Sequence, residues 1–380
     1  MGEDIVNGAE SQDEVEVEDI SAGRTVEKPF RPSDIRLTTP PMNLGDLLDM
    51  IEAGWINFGT DYQRNGDLWD DVKQSRLIES VLLGLRLPAF YFEEVSKRQW
   101  NIIDGLQRCC ALKNYCLKAS LNLTDLEFLG KQYNGVKYAD FSFDVRRDFR
   151  MLPITVNVLE RGTPDAVKYV LFKRLNTGGM TLKPQEIRTA MFQGKVVRIL
   201  NRLATSDEFL LATGHRIPQK RQEDKDFISR FIAFYVFSPE EFQPELESFI
   251  TKAMVKLREE FSAQDEELMC ADFAAAMRLS HEIFGADAFR KQRASDDPHM
   301  VRRPINKAYF EVLSSLFARL SAEQRTRLLE RRKSLRARAL AQMDNEAVWT
   351  SFSGGTGTRD SVLRRYNAFR TVIEGTLTND

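Results

Sequence analysis

The sequence predicts an α+β fold in its first half followed by a mostly α-helical C-terminal region. Three observations carry this expectation. Signals for helix, strand, strand, glycine turn and helix follow one another over residues 69–112; a β-branched run, Ile154-Thr155-Val156-Asn157-Val158-Leu159, follows; and from Val196 onward the apolar spacing is helical nearly to the end. The expected division is a disordered acidic tail over residues 1–33, an α+β domain over 34–195 and a helical domain over 196–380.

The tail is read from charge. Residues 1–20 carry eight acidic side chains (Glu3, Asp4, Glu10, Asp13, Glu14, Glu16, Glu18, Asp19) and no basic one, in a polar, aromatic-poor context. The remaining chain has 54 basic against 48 acidic side chains (56 less those eight), a body of about +6. That is compatible with nucleic acid but makes no case for it without a localised patch.

Order is expected near Asp34, with Thr39-Pro40-Pro41 holding the lead-in extended. Asn43 caps a helix whose Leu44, Leu47, Leu48 and Ile51 share one face, and Gly54 closes it. A short strand over 55–58 leads to Tyr62-Gln63-Arg64. A second helix spans about 69–83 and ends at Gly84; Pro88 then introduces a strand over 89–93, and a turn over 94–98 returns the chain into Trp100-Asn101-Ile102-Ile103-Asp104. A helix starts directly after Asp104-Gly105, with Cys109, Cys110 and Cys116 packed along it. Residues 121–138 read as a β excursion with a Tyr133-Asn134-Gly135 turn. Pro164 opens the next helix, carrying Val167, Val170, Leu171 and Leu175; it stops at Asn176-Thr177-Gly178-Gly179, and another begins over 181–185. Phe227, Ile228, Phe231, Ile232, Phe234, Tyr235 and Phe237 form a buried helix. The segment 323–342 is an Arg-rich helix, read either as a solvated face or as a nucleic-acid contact through Arg331 and Arg332.

Several functional classes fall away. No run reaches the roughly 18–20 apolar residues of a membrane span, and the acidic N-terminus is unlike a secretory signal, so a cytoplasmic protein with no membrane partner is expected. Cys109, Cys110, Cys116 and Cys270 lack paired C-x-x-C spacing, and His215, His281 and His299 lie far apart, which argues against structural zinc.

The strand-to-helix turn Asp104-Gly105-Leu106-Gln107-Arg108 has the form of an anion site. The first N–H groups of a helix have no intrahelical partner and sit at its positive end; Gly105 permits close approach, and Arg108 offers a forked cation. The alternative is a plain junction in which Asp104 caps the helix and Arg108 is solvated. Tyr62-Gln63-Arg64 and Arg174-Leu175-Asn176-Thr177-Gly178-Gly179 likewise place polar or cationic groups beside tight turns, as a phosphate ester with magnesium requires.

Together these segments resemble the N-terminal domain family of the GmrSD type IV restriction endonucleases, which has a ParB/sulfiredoxin-like fold. The likeness runs in order over residues 40–190 through Tyr62-Gln63-Arg64 and Trp69, Leu77-Ile78-Glu79-Ser80, the Asp104–Arg108 motif, Phe172–Gly179, Leu182, Gln185, Glu186 and Arg188. It implies nucleotide binding and, in some members, hydrolysis tied to DNA defence, with a nucleoside triphosphate and magnesium as cofactors. On that basis Arg108 and the amides after Gly105 are the expected phosphate binders, joined by Gln107. Gln63 and Arg64 are second-line contacts, and Gly178 and Gly179 keep the Asn176 loop close. Asp104 is either a cap or a carboxylate for magnesium or a catalytic water; Asn176 is either a metal neighbour or a helix C-cap. Asp104 and Arg108 are the catalytic candidates. The family's middle glutamine is Leu106 here, so its amide role does not transfer, and sulfiredoxin chemistry is excluded because a cysteine would stand at that position. Two functions follow: a triphosphate hydrolase, with or without DNA nicking, or a nucleotide-gated or DNA-sensing module that recruits a separate nuclease.

Overall fold

The computed structural model describes residues 15, 16, 18, 31, 35–58, 69–175, 183–296 and 302–378. The chain divides into two units, Lys28–Gln193 and a second formed by Met1–Glu27 with Gly194–Asp380.

In chain order the Lys28–Gln193 unit contains β1 (Leu37–Thr38), β2 (Met42–Asn43), α1 (Leu44–Glu52), β3 (Ile56–Asn57), α2 (Asp71–Leu82), β4 (Phe90–Ser96), β5 (Gln99–Asp104), α3 (Leu106–Leu112), α4 (Gly130–Tyr133), α5 (Phe143–Met151), β6 (Pro153–Ile154), β7 (Val156–Leu159), α6 (Asp165–Leu175) and α7 (Pro184–Met191). Five strands form one mixed sheet in the order β1-β7-β4-β5-β3, and β2 pairs with β6 separately. The β4–β5 hairpin is antiparallel, while β7 and β3 run parallel to β4 and β5 on either side. The fold class is therefore α+β, as the alternating signals predict.

Local chemistry explains the elements. Asn43 caps α1 reciprocally: its Oδ1 accepts from Asp46 N–H and its own N–H donates to the Asp46 carboxylate, both at 2.9 Å. The α1 face of Leu44, Leu47, Leu48 and Ile51 is buried with Ile78 of α2, Phe90 and Phe92 of β4, Leu112 of α3 and Val156 of β7 in one core. Trp69 packs against this core.

Two expectations fail here. No strand forms over residues 121–138. Instead the carboxylate of Glu79, at the heart of α2, accepts the backbone N–H groups of Glu127, Phe128 and Leu129 at 2.8–3.0 Å, replacing the ladder that a strand would need. The run 154–159 is not one strand either; it breaks at Thr155, whose carbonyl accepts from Phe90 N–H at 2.9 Å.

The second unit is helical: α8 (Lys195–Ala204), α9 (Asp207–Thr213), α10 (Glu223–Val236), α11 (Leu246–Glu259), α12 (Ala263–Phe284), α13 (Lys307–Ala318), α14 (Ala322–Glu330), α15 (Arg332–Met343), α16 (Glu346–Ser351) and α17 (Arg359–Thr378). Phe231 of α10 meets Phe273 of α12 at 4.7 Å between ring centroids, and Phe227 meets Phe310 of α13 at 5.1 Å, so the run is core through Phe234 as its spacing predicts, whereas Tyr235 is half-buried and Phe237, also half-buried, lies just past the end of α10. Within that core Arg365 of α17 bonds Glu311 of α13 at 2.7 Å, both fully buried.

The Arg-rich helix expected over 323–342 is two helices that break at Arg331. Its Nη1 donates to the carbonyl of Thr376 at 2.9 Å, satisfying an end group of α17. The acidic segment also departs from a free tail at its described residues: Val15 pairs in parallel with Ile305, and Glu16 and Glu18 accept from Lys291 and Arg230. Opposite charge and one strand pairing hold it. Among the described residues no helix is long and apolar enough to cross a membrane.

Glu79 generates a test. Burial raises its pKa, but the N–H groups of Leu129, Glu127 and Phe128, helped by Arg76, outweigh that and hold it below its usual 4.5. A carboxyl depressed on folding stabilises fully above the unfolded value and loses that contribution as pH falls through the folded one. Denaturant titration of Glu79→Gln should therefore show a loss of about 1.5–3 kcal/mol at neutral pH, shrinking below pH 4.5. A deficit that does not change with pH would contradict the role of the charge.

Candidate functional site

The site is built on the turn from β5 to α3. Gly105 adopts left-handed geometry, φ +102°, and a Cβ there would fall 2.6 Å from Cδ1 of Phe90. Only glycine satisfies both limits. Helix α3 starts at once at Leu106, no side chain at the cap position covers its first turn, and the helix continues through a wider π-helical turn at Lys113–Leu117. The backbone N–H groups of Leu106 and Gln107 thus lie at the positive end of the helix. The side-chain Oε1 of Gln107 accepts from Trp69 N–H at 2.9 Å, tying the approach to α2 onto α3.

Arg108 points inward. It is 8% exposed, and its guanidinium donates to the carbonyls of Pro88 and Ala89, to Asp104 Oδ2 at 2.8 Å, and lies 4.5 Å over the Phe90 ring. The sequence predicts an outward phosphate clamp; in the structure the fork serves two carbonyls at the start of β4, and a buried guanidinium is retained where such acceptors meet it. Asp104 does not cap α3, since Gly105 occupies that position. Arg108 engages its Oδ2, and the Asp104 side chain is 32% exposed.

A second polar cluster escaped sequence reasoning. Glu93 of β4 accepts from Lys168 of α6 at 2.6 Å, and Lys168 lies 3.3 Å from Asp165. Glu93 is buried and its Oε2 has no hydrogen-bond donor among the described residues. The signal in the sequence is the acidic pair Glu93-Glu94 that directly follows the aromatic run Phe90-Tyr91-Phe92 within one strand.

Gln63 and Arg64 in one segment, and Asn176, Gly178 and Gly179 in another, lie outside the described residues. Glu186 accepts from Lys183 N–H at 2.6 Å, and Arg188, buried, donates to Gln185 at 2.8 Å, both within α7 and its cap. Burial pushes up the thiol pKa of Cys109 and Cys116, in keeping with packing. In the helical unit Arg331 is turned to Thr376, whereas Arg332 is exposed. Among the described residues no group of three or more His, Cys, Asp or Glu converges. Magnesium bound with phosphates needs only one or two carboxylates, a demand that Asp104 fits.

Residues 44–193 match the model of the GmrSD restriction endonuclease, N-terminal domain. This segment is a GmrSD-type N-terminal domain. No curated protein and no solved structure matches the chain. The GmrSD-type domain begins at the capped start of α1 and closes just after α7, so the Gly105 turn, the inward Arg108 and the Glu93–Lys168 pair all belong to it.

Because Arg108 supports the domain, Arg108→Ala should cost about 3 kcal/mol in denaturant titration of the full chain, the scale of breaking a buried pair. Arg108→Lys should recover only part, since one ammonium cannot fork between a carboxylate and two carbonyls. Unchanged stability in both variants would return Arg108 to the role of an outward ligand.

Proposed function

We propose that the GmrSD-type domain is a nucleotide-binding module of ParB/sulfiredoxin-like fold in a restriction-like DNA defence system. It binds a nucleoside triphosphate with magnesium, and the bound state is read by DNA or by a separate nuclease subunit. The observation that carries this reading is the left-handed Gly105 that opens α3 directly after Asp104. Phosphate oxygens would meet the N–H groups of Leu106 and Gln107, where helix polarity favours an anion. Asp104 Oδ1 would face magnesium, with Asn176 as its partner from the second loop; Gln63, Arg64, Gly178 and Gly179 complete the binding set. Magnesium would neutralise phosphate charge there.

Binding is favoured over hydrolysis. Leu106 offers no side-chain amide to orient a water, and Arg108, the obvious cation for a developing phosphate charge, is committed to Asp104, Pro88 and Ala89.

Titration of the full chain with each of the four triphosphates and magnesium, with phosphate release followed in the presence and absence of DNA, tests this. Saturable binding without turnover is expected, and Asp104→Asn should weaken the magnesium-dependent affinity about tenfold or more. Absence of binding to every triphosphate would overturn the reading; turnover would make the protein a hydrolase.

A further inference from the structure

In the helical unit the acidic segment meets Arg230 of α10, Lys291 and the Ile305-Asn306 step before α13, a contact that the function above does not use. Arg230, Lys291 and Asn306 are all buried, at 3%, 4% and 0% exposure. Arg290 and Ile305 already form an antiparallel bridge, and Val15 adds to Ile305 in parallel, with Glu16 N–H donating to the Ile305 carbonyl at 2.9 Å. Side chains complete the contact. Glu16 accepts from Lys291 at 2.6 Å and from the Asn306 amide at 3.1 Å; Glu18 accepts from Arg230 at 2.9 Å and through a second, shorter bond.

We propose that this surface is a recognition site for an acidic extended peptide of pattern Val-Glu-x-Glu, occupied in cis through Val15, Glu16 and Glu18. Three features specify the ligand class. Backbone pairing to Ile305 requires a peptide strand, as in strand addition to a sheet edge. Residues two apart on a strand share a face about 6.6 Å apart, so two glutamates in alternation reach two separate cations. Those cations come from elements more than 200 residues along the chain, with Glu18 to Arg230 spanning 212 positions and Glu16 to Lys291 spanning 275. Their burial calls for carboxylate partners: Asp226 and Glu311 also lie near Arg230, Glu311 at 3.6 Å and bonded through its other oxygen to Arg365, while Glu18 is the acid that takes direct hydrogen bonds from the guanidinium. Lys291 is further held by Ser353 and the face of Trp349, so its ammonium is positioned independently of the segment.

The experiment uses the full chain. A fluorescent peptide covering residues 10–22 is titrated into the wild type and into the Glu16→Gln/Glu18→Gln variant. The variant, whose own segment has lost both charges, should bind the peptide at least tenfold more tightly than the wild type, and a peptide carrying Glu18→Lys should lose that gain. Equal binding by both proteins, or by both peptides, would overturn the proposal. Competition with a single-stranded oligonucleotide separates the ligand classes: failure to displace the peptide is expected, and displacement at equal charge would show a phosphate-binding surface instead. Hydrogen exchange on the wild type guards against a misfolded variant. The Glu16 amide should exchange slowly, as a bonded strand amide does; exchange at the rate of an open chain would refute cis docking.

Discussion

The guanidinium of Arg108 is the constraint on which the GmrSD-type domain depends. It joins three pieces of backbone: the carbonyls of Pro88 and Ala89 at the start of β4, the carboxylate of Asp104 at the end of β5, and its own helix α3. Phe90, directly after those carbonyls, receives the cation on its ring and crowds the place where a Cβ at residue 105 would sit. One buried charge therefore sets the distance between β4 and the turn, and that distance demands glycine. A helix start so held keeps its first N–H groups in fixed positions, which is the preorganisation an anion site needs.

Much of this arrangement was legible in the sequence because its causes are local. Asn43 with Asp46, Gly54, Gly84 and the Asp104-Gly105 turn each act within a few residues of themselves, and the match over residues 44–193 agrees with the ordered motifs that suggested the family. The direction of Arg108 was not legible, because its acceptors lie 19 and 20 residues earlier. The same is true of Glu79, whose carboxylate substitutes for a strand ladder near 50 residues away, and of Glu93, whose cation arrives from α6. Periodicity describes which face of a segment is apolar; it carries no information about which distant polar group will meet it.

Charge in the helical unit follows the same logic. The acidic N-terminal segment reads as unable to bury itself, since it is polar and of one sign. Its partners are cations inside a distant helical core, and the pairing cancels charge on both sides. Arg331, conspicuous as part of a basic run, serves the end of α17, so the count of arginines overstated the surface available for nucleic acid and leaves Arg332 as the exposed one of the pair.

The most direct measurement is the structure of the full chain bound to a non-hydrolysable nucleoside triphosphate with magnesium. Phosphate oxygens against the N–H groups of Leu106 and Gln107, with Arg108 still bonded to the Pro88 and Ala89 carbonyls, are the expected result. Arg108 swung out onto the phosphates, or a nucleotide bound away from the Gly105 turn, would contradict it.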